Sequence, residues 1–141
     1  LAVMLNCSEK EIADQISRYE SEGIIKGYTS IIDEAAVDPN AVTALIELKV
    51  TPQSQSGYDE IAREIAEYEE VESVRLMSGA YDIIVSVTGS NIREISQFVS
   101  ARLAAIDAVT STATHFQLKA YKENGIAITD EQTDERGMIS P

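Results

Sequence analysis

Apolar and polar positions recur along the chain with two periods, and the switch between them marks its organisation. "LAVMLN" is apolar and reads as the end of a helix, so the sequence is expected to begin inside an element, with Cys7 and Ser8 as the break. Ser8 followed by Glu11 has the spacing of a capping box. Ile12, Ile16 and Tyr19 then recur at helical spacing, predicting a helix from Ser8 to about Glu22 that Gly23 stops. "GIIKGYTSIID" predicts a turn followed by a β-branched strand.

Asp38-Pro39-Asn40 interrupts the chain, and the period then drops to two. Val42, Ala44, Ile46, Leu48 and Val50 fall on one face of a half-buried strand that Pro52 ends. "SGYDEIAREIAEYEEV" returns to helical spacing, with Ile61, Ile65 and Tyr68 on one stripe and carboxylates opposite. "VESVRLMSG" and "YDIIVSVTG" predict a hairpin. "SNIREISQFVSARLAAID" predicts a second helix, capped by Ser90 or Asn91, with Ile92, Ile95, Phe98, Val99 and Leu103 facing the core. "AVTSTATHFQLKAY" predicts a last long strand, and "NGIAIT" a further short one.

Between residues 41 and 121 the order is β-α-β-β-α-β. That order predicts an α+β, ferredoxin-like unit: a four-stranded antiparallel sheet with two helices on one face. The uncovered face is expected to be too apolar for water and to pack against a second copy. Residues 122–141 form a tail with two basic and five acidic residues and no strong period, part of it expected to be disordered.

Composition narrows the function classes. The chain has 141 residues, one cysteine and a formal charge of −13. Cys7 alone allows neither an internal disulfide nor a cysteine zinc cage. No apolar run approaches the roughly 20 residues that span a bilayer, and no signal peptide is visible, so a cytoplasmic protein is expected. The negative charge disfavours broad contact with phosphates. His115, the one histidine, has no partner for a dyad or a metal set, and "SVTGSN" lacks the spacing and the Lys of a phosphate loop. No catalytic residue, metal or cofactor is expected.

Two constellations remain as candidates for binding. In "LMSGAYDIIVSV" the turn accounts for Gly79, but Asp82 opens an apolar strand with a carboxylate that must find donors. Thr110, Ser111, Thr112 and Thr114 are ordinary strand residues or a ladder of hydroxyls able to meet a zwitterion.

The ordered set resembles the Lrp/AsnC (leucine-responsive regulator, feast/famine) family. "LAVMLNCSEKEIADQISRYESEGIIKGY" is similar to that family's second helix, turn and recognition helix, with "GIIKGY" the most recognisable part. "LMSGAYDIIVSV" matches the strand-turn-strand where members carry a Gly, a variable residue, Tyr or His, and then Asp. "VTSTATHFQLK" matches the last strand, although Asp107-Ala108 stands where members have Pro-Gly. The resemblance implies a partial winged helix-turn-helix at 1–34, a ligand-sensing and oligomerising RAM-like domain (the dimeric α+β barrel type) at 41–121, and the acidic tail at 122–141. It implies an amino-acid effector held between dimers by Ser78, Gly79, Ala80, Tyr81, Asp82, Thr110, Thr112 and Thr114, in a homodimer that assembles to an octamer or similar ring. It also implies DNA contact through Ser8, Lys10, Gln15, Arg18 and Lys26. Asp14 and Gln15, however, stand where members usually carry basic residues, and Lys10, Arg18 and Lys26 face seven carboxylates within residues 1–34, a balance of −4. Two other readings stay open: an effector-binding oligomer that does not bind DNA, and an enzyme on the same scaffold.

Overall fold

The computed structural model describes residues 2–54 and 57–128. The chain divides into two compact units between Ile32 and Asp33.

In the first unit α1 (Ala2–Leu5) and α2 (Glu9–Ser21) are separated by a turn with Asn6 at φ 53°. The expected capping box is formed. Ser8 Oγ accepts the Glu11 N–H at 3.2 Å, and the Glu11 carboxylate accepts the Ser8 N–H at 2.8 Å. At the other end Gly23 adopts φ 71°, the Ile24 N–H donates to the Tyr19 carbonyl at 2.8 Å, and the Gly23 N–H donates to Glu20 at 3.1 Å. These two bonds make a Schellman stop, which needs the left-handed conformation a glycine adopts without strain. The strand expected in "GIIKGYTSIID" is not formed: residues 25–33 run without regular structure. A strand exists through its ladder, and no described residue pairs with this segment. Ile24, Tyr28 and Ile32 are accordingly exposed.

The second unit opens with a single turn, α3 (Glu34–Val37), and then builds β1 (Val42–Val50), α4 (Gly57–Ala66), β2 (Val71–Leu76), β3 (Ile83–Gly89), α5 (Ile92–Phe98) and β4 (Val109–Phe116). The sheet order is β2-β3-β1-β4, with every neighbouring pair antiparallel. The expected β-α-β-β-α-β arrangement is therefore present. Ala44, Ile46, Leu48 and Val50 of β1 and Ile83, Val85 and Val87 of β3 are buried against Ile61 and Ile65 of α4 and Ile95 and Phe98 of α5. Helix α5 continues through a π-helical turn, Val99–Leu103, which keeps Val99 and Leu103 in the same core. Asn91 is its cap: Oδ1 accepts the Glu94 N–H at 2.9 Å. Ile92, expected in the core, is 54% exposed. It is the first helical residue, directly after the cap, a turn ahead of the residues that meet the sheet.

The uncovered sheet face departs from expectation. It presents Thr43, Leu45, Glu47 and Lys49 of β1, Ile84, Ser86 and Thr88 of β3, and Ser111, Ala113 and His115 of β4. Only Leu45, Ile84 and Ala113 among these are apolar, and Glu47 and His115 meet at 3.2 Å. The face is a mixed polar surface, not an apolar one.

The expected short strand is half of a small hairpin, β5 (Lys122–Glu123) and β6 (Ile126–Ala127). Asn124 and Gly125 turn it with φ 45° and 83°, both positive as a type I′ turn requires. The expected disorder of the tail concerns residues that, beyond 128, lie outside those described.

Candidate functional site

The C-terminal end of β1 lies between the hairpin turn and the start of β4. Residues 77–82 connect β2 to β3, and the Met77 N–H donates to the Asp82 carbonyl at 2.8 Å to close the turn. Gly79 sits at φ 121°, and a Cβ there would meet nothing within 4 Å. The backbone conformation, not crowding, calls for glycine. Ser78, Gly79 and Ala80 are exposed; Tyr81 and Asp82 are half-buried.

Asp82 is bound to β1 twice. Its N–H donates to the Leu48 carbonyl at 3.0 Å, and its Oδ2 accepts the Val50 N–H at 2.8 Å. Backbone pairing with β3 ends at Leu48 opposite Ile83. The carboxylate supplies the next acceptor, so the part-buried Val50 N–H is not left unpaired.

Lys49 occupies the position between. Its Nζ donates to the Ala80 carbonyl at 3.3 Å, and its own carbonyl accepts from Thr110 Oγ1 at 3.2 Å. On β4, Lys49 opposes Ser111 while Val50 opposes Val109. The register slips by one residue there, and Thr110 is the extra residue of a bulge.

The structure thus gathers Ser78, Gly79, Ala80, Tyr81, Asp82 and Thr110 around one end of the sheet. It does not bring Thr112 and Thr114 onto the uncovered face. They oppose Leu48 and Ile46, both fully buried, and directly opposed residues share a face. Both hydroxyls therefore lie on the helix-covered side. Lys49 is the residue that sequence reasoning passed over. Its signal was the alternation itself, which puts Lys49 opposite in facing to Leu48 and Val50.

A cleft of about 450 Å³ lies elsewhere, between Gly57, Glu60 and Glu64 of α4 and Ala105–Ala108. None of the expected effector residues lines it. Among the described residues no cluster of His, Cys, Asp and Glu is arranged to hold a metal ion, and no helix is long and apolar enough to cross a membrane.

The residues expected to meet DNA lie in the first unit. The Ser8 side chain is engaged in the α2 cap. Lys10 and Lys26 are exposed, and Gln15 is half-buried. Arg18 pairs with Glu22 at 3.5 Å and stacks over the Tyr19 ring at 5.8 Å.

Comparison with known proteins agrees with this architecture. Residues 43–127 match the model of the Lrp/AsnC ligand binding domain. The chain is 41% identical over 142 residues to the HTH-type transcriptional regulator YugG of Bacillus subtilis, covering all of this chain and 86% of that protein. Among solved structures, a transcriptional regulator of Neisseria meningitidis in complex with L-methionine superposes with a TM-score of 0.70 at 18% identity, covering 89% of this chain and 80% of that one. A feast or famine regulatory protein of M. tuberculosis complexed with L-methionine gives a TM-score of 0.70 at 21% identity, covering 91% and 84%. The relatives are regulators, and the reading as an enzyme on this scaffold falls away. The chain belongs to the Lrp/AsnC family of transcriptional regulators and carries that family's ligand-binding domain.

Proposed function

We propose that this regulator senses a free α-amino acid at the rim of its sheet, and that occupancy changes how the protein engages DNA. The observation that carries the reading is Asp82, a half-buried carboxylate held at 2.8 Å from the Val50 N–H beside the exposed turn Ser78–Gly79–Ala80. An amino acid needs an acceptor for its ammonium and donors for its carboxylate. A carboxylate has about four lone-pair sites, so Asp82 keeps acceptor capacity beyond its bond to Val50. The backbone around Gly79 supplies donors; the one hydrogen of the Thr110 hydroxyl goes to the Lys49 carbonyl, so its oxygen offers only acceptor capacity.

In this reading Ser8, Lys10, Gln15, Arg18 and Lys26 face DNA, and the effector acts by binding one assembly better than another. The assembly is a homodimer packed through the open sheet face, growing to an octamer or similar ring in the cytoplasm. The apolar Leu45, Ile84 and Ala113 among the hydroxyls of that face suit contact with a second copy. The test is thermal unfolding of the chain with each of the twenty L-amino acids, L-methionine first because two regulators of this fold were solved with it. A ligand at 100 times its Kd stabilises by about 2.7 kcal/mol. No shift with any of them refutes the sensor. Sedimentation with and without the active amino acid reads the assembly, and a gel shift on the protein's own upstream DNA reads the other half.

The charge of α2 favours a second reading, an effector-binding oligomer that acts through a protein partner. Lys10 and Arg18 stand there against Glu9, Glu11, Asp14 and Glu20. Binding to DNA that weakens steeply with salt supports the first reading; no binding at low salt supports the second.

A further inference from the structure

We infer that Lys49 is the cation that receives the effector's carboxylate; this rests on the amino-acid reading above. Lys49 is exposed, yet held at both ends. The Ala80 carbonyl holds its ammonium at 3.3 Å, and Thr110 Oγ1 holds its own carbonyl at 3.2 Å. An ammonium has three donors, and the bond to Ala80 leaves capacity directed at the turn.

The register places the two charges as a zwitterion requires. Leu48 opposes Ile83, so the next residues, Lys49 and Asp82, stand side by side at the end of the sheet. They make no ion pair with each other: among the described residues Arg18 pairs with Glu22, and Glu47 has the His115 ring as its neighbour at 3.2 Å. A cation and an anion that are adjacent but do not neutralise one another fit a ligand with one charge of each sign. Arg75, the other nearby cation on this sheet, bends back to Ser73 Oγ at 3.1 Å within its own strand.

Ser111 is the residue of β4 directly opposite Lys49, across β1 from the turn that holds the ammonium. A ligand carboxylate therefore meets Lys49 at the rim, beside Ala80, clear of the sheet face that, in the reading above, packs against a second copy.

The experiment uses the full chain and isothermal titration. The twenty L-amino acids are titrated first, and the tightest is then compared as free acid and as its carboxamide, which keeps the ammonium and removes the anion. The wild-type chain binds the free acid more tightly. Lys49→Gln raises the Kd for the free acid about tenfold or more, the scale of one hydrogen bond to a charged group, and leaves the carboxamide nearly unchanged. Lys49→Arg retains the preference for the acid. If Lys49→Gln lowers the melting temperature but keeps the full preference for the acid, Lys49 only supports the turn and the inference is overturned. If the wild-type chain binds none of the twenty, the amino-acid reading itself fails and the role of Lys49 falls with it.

Discussion

The carboxylate of Asp82 accepts the backbone N–H of Val50 at 2.8 Å, from 32 residues away in the chain. A side chain here takes the place of a main-chain rung where β3 turns away from β1. The bond holds one carboxylate oxygen against the sheet and leaves the other lone pairs to be oriented by that anchor. Asp82 therefore has a structural duty whether or not a ligand is present, and its charge and its acceptor can be separated by mutation.

Asp82→Ala removes the acceptor and leaves a part-buried N–H unpaired, so it should destabilise the second unit by about 1–3 kcal/mol. Asp82→Asn keeps a carbonyl acceptor and should recover most of that loss in urea unfolding. The Asn variant nonetheless lacks the charge that faces an ammonium. It should lose the stabilisation given by an amino-acid ligand while folding nearly as well as the parent. An Asn variant that responds fully would mean that the charge serves no ligand.

Gly57 gives a prediction opposite in sign to helix propensity. It is the first residue of α4, where replacing Gly by Ala ordinarily favours a helix by up to about 1 kcal/mol. A Cβ here would stand 2.5 Å from Cβ of Pro52. Proline cannot swing aside, so the backbone of one segment has to move. Gly57→Ala should cost about 1–3 kcal/mol by overpacking, read as a lowered midpoint in urea with an unchanged slope. A neutral or raised midpoint would show that Pro52 and Gly57 move apart freely.

Local pattern and long-range pairing account for what was legible. The core face of β1 follows from a period of two, and Ala44, Ile46 and Leu48 are all fully buried. The capping box at Ser8 and the Asn-Gly turn of the last hairpin involve residues within three or four of one another, so sequence alone specifies them. The failures are of another kind. "GIIKGYTSIID" has β-branched residues but no pairing partner among the described residues, and β-propensity without a partner does not make a strand. Strand alternation alone would put Thr110, Thr112 and Thr114 on one face, and the bulge at Thr110 that breaks it has no signature in the sequence. Lys49 reads in the sequence as an ordinary solvent-facing strand residue. Its link to Ala80 spans 31 residues and appears only once β1 is placed beside the turn.

Removing the Ser8 hydroxyl should loosen α2 selectively. Ser8→Ala takes away the acceptor for the Glu11 N–H at 3.2 Å. N-cap loss costs about 1 kcal/mol, or about fivefold in the opening equilibrium. Hydrogen exchange should show α2 amides exchanging about fivefold faster, with β1 and β3 unchanged. Equal acceleration in β1 would mean that the two units do not open independently.

Charge on α2 tests the DNA half of the proposed function. Asp14 is exposed on that helix, and Arg18 is tied to Glu22 at 3.5 Å by a pair that is itself solvent-exposed. Exposed pairs of this kind are weak, so a phosphate can draw Arg18 away from Glu22. If α2 lies on the backbone of DNA, Asp14→Lys should tighten binding in low salt. It should also steepen the dependence of log K on log salt by about 0.9 for one added phosphate contact. Lys10→Ala should flatten the same slope by a similar amount. Slopes that ignore both substitutions would remove α2 from the DNA interface, and would leave the effector-binding oligomer without DNA as the better account of an acidic helix.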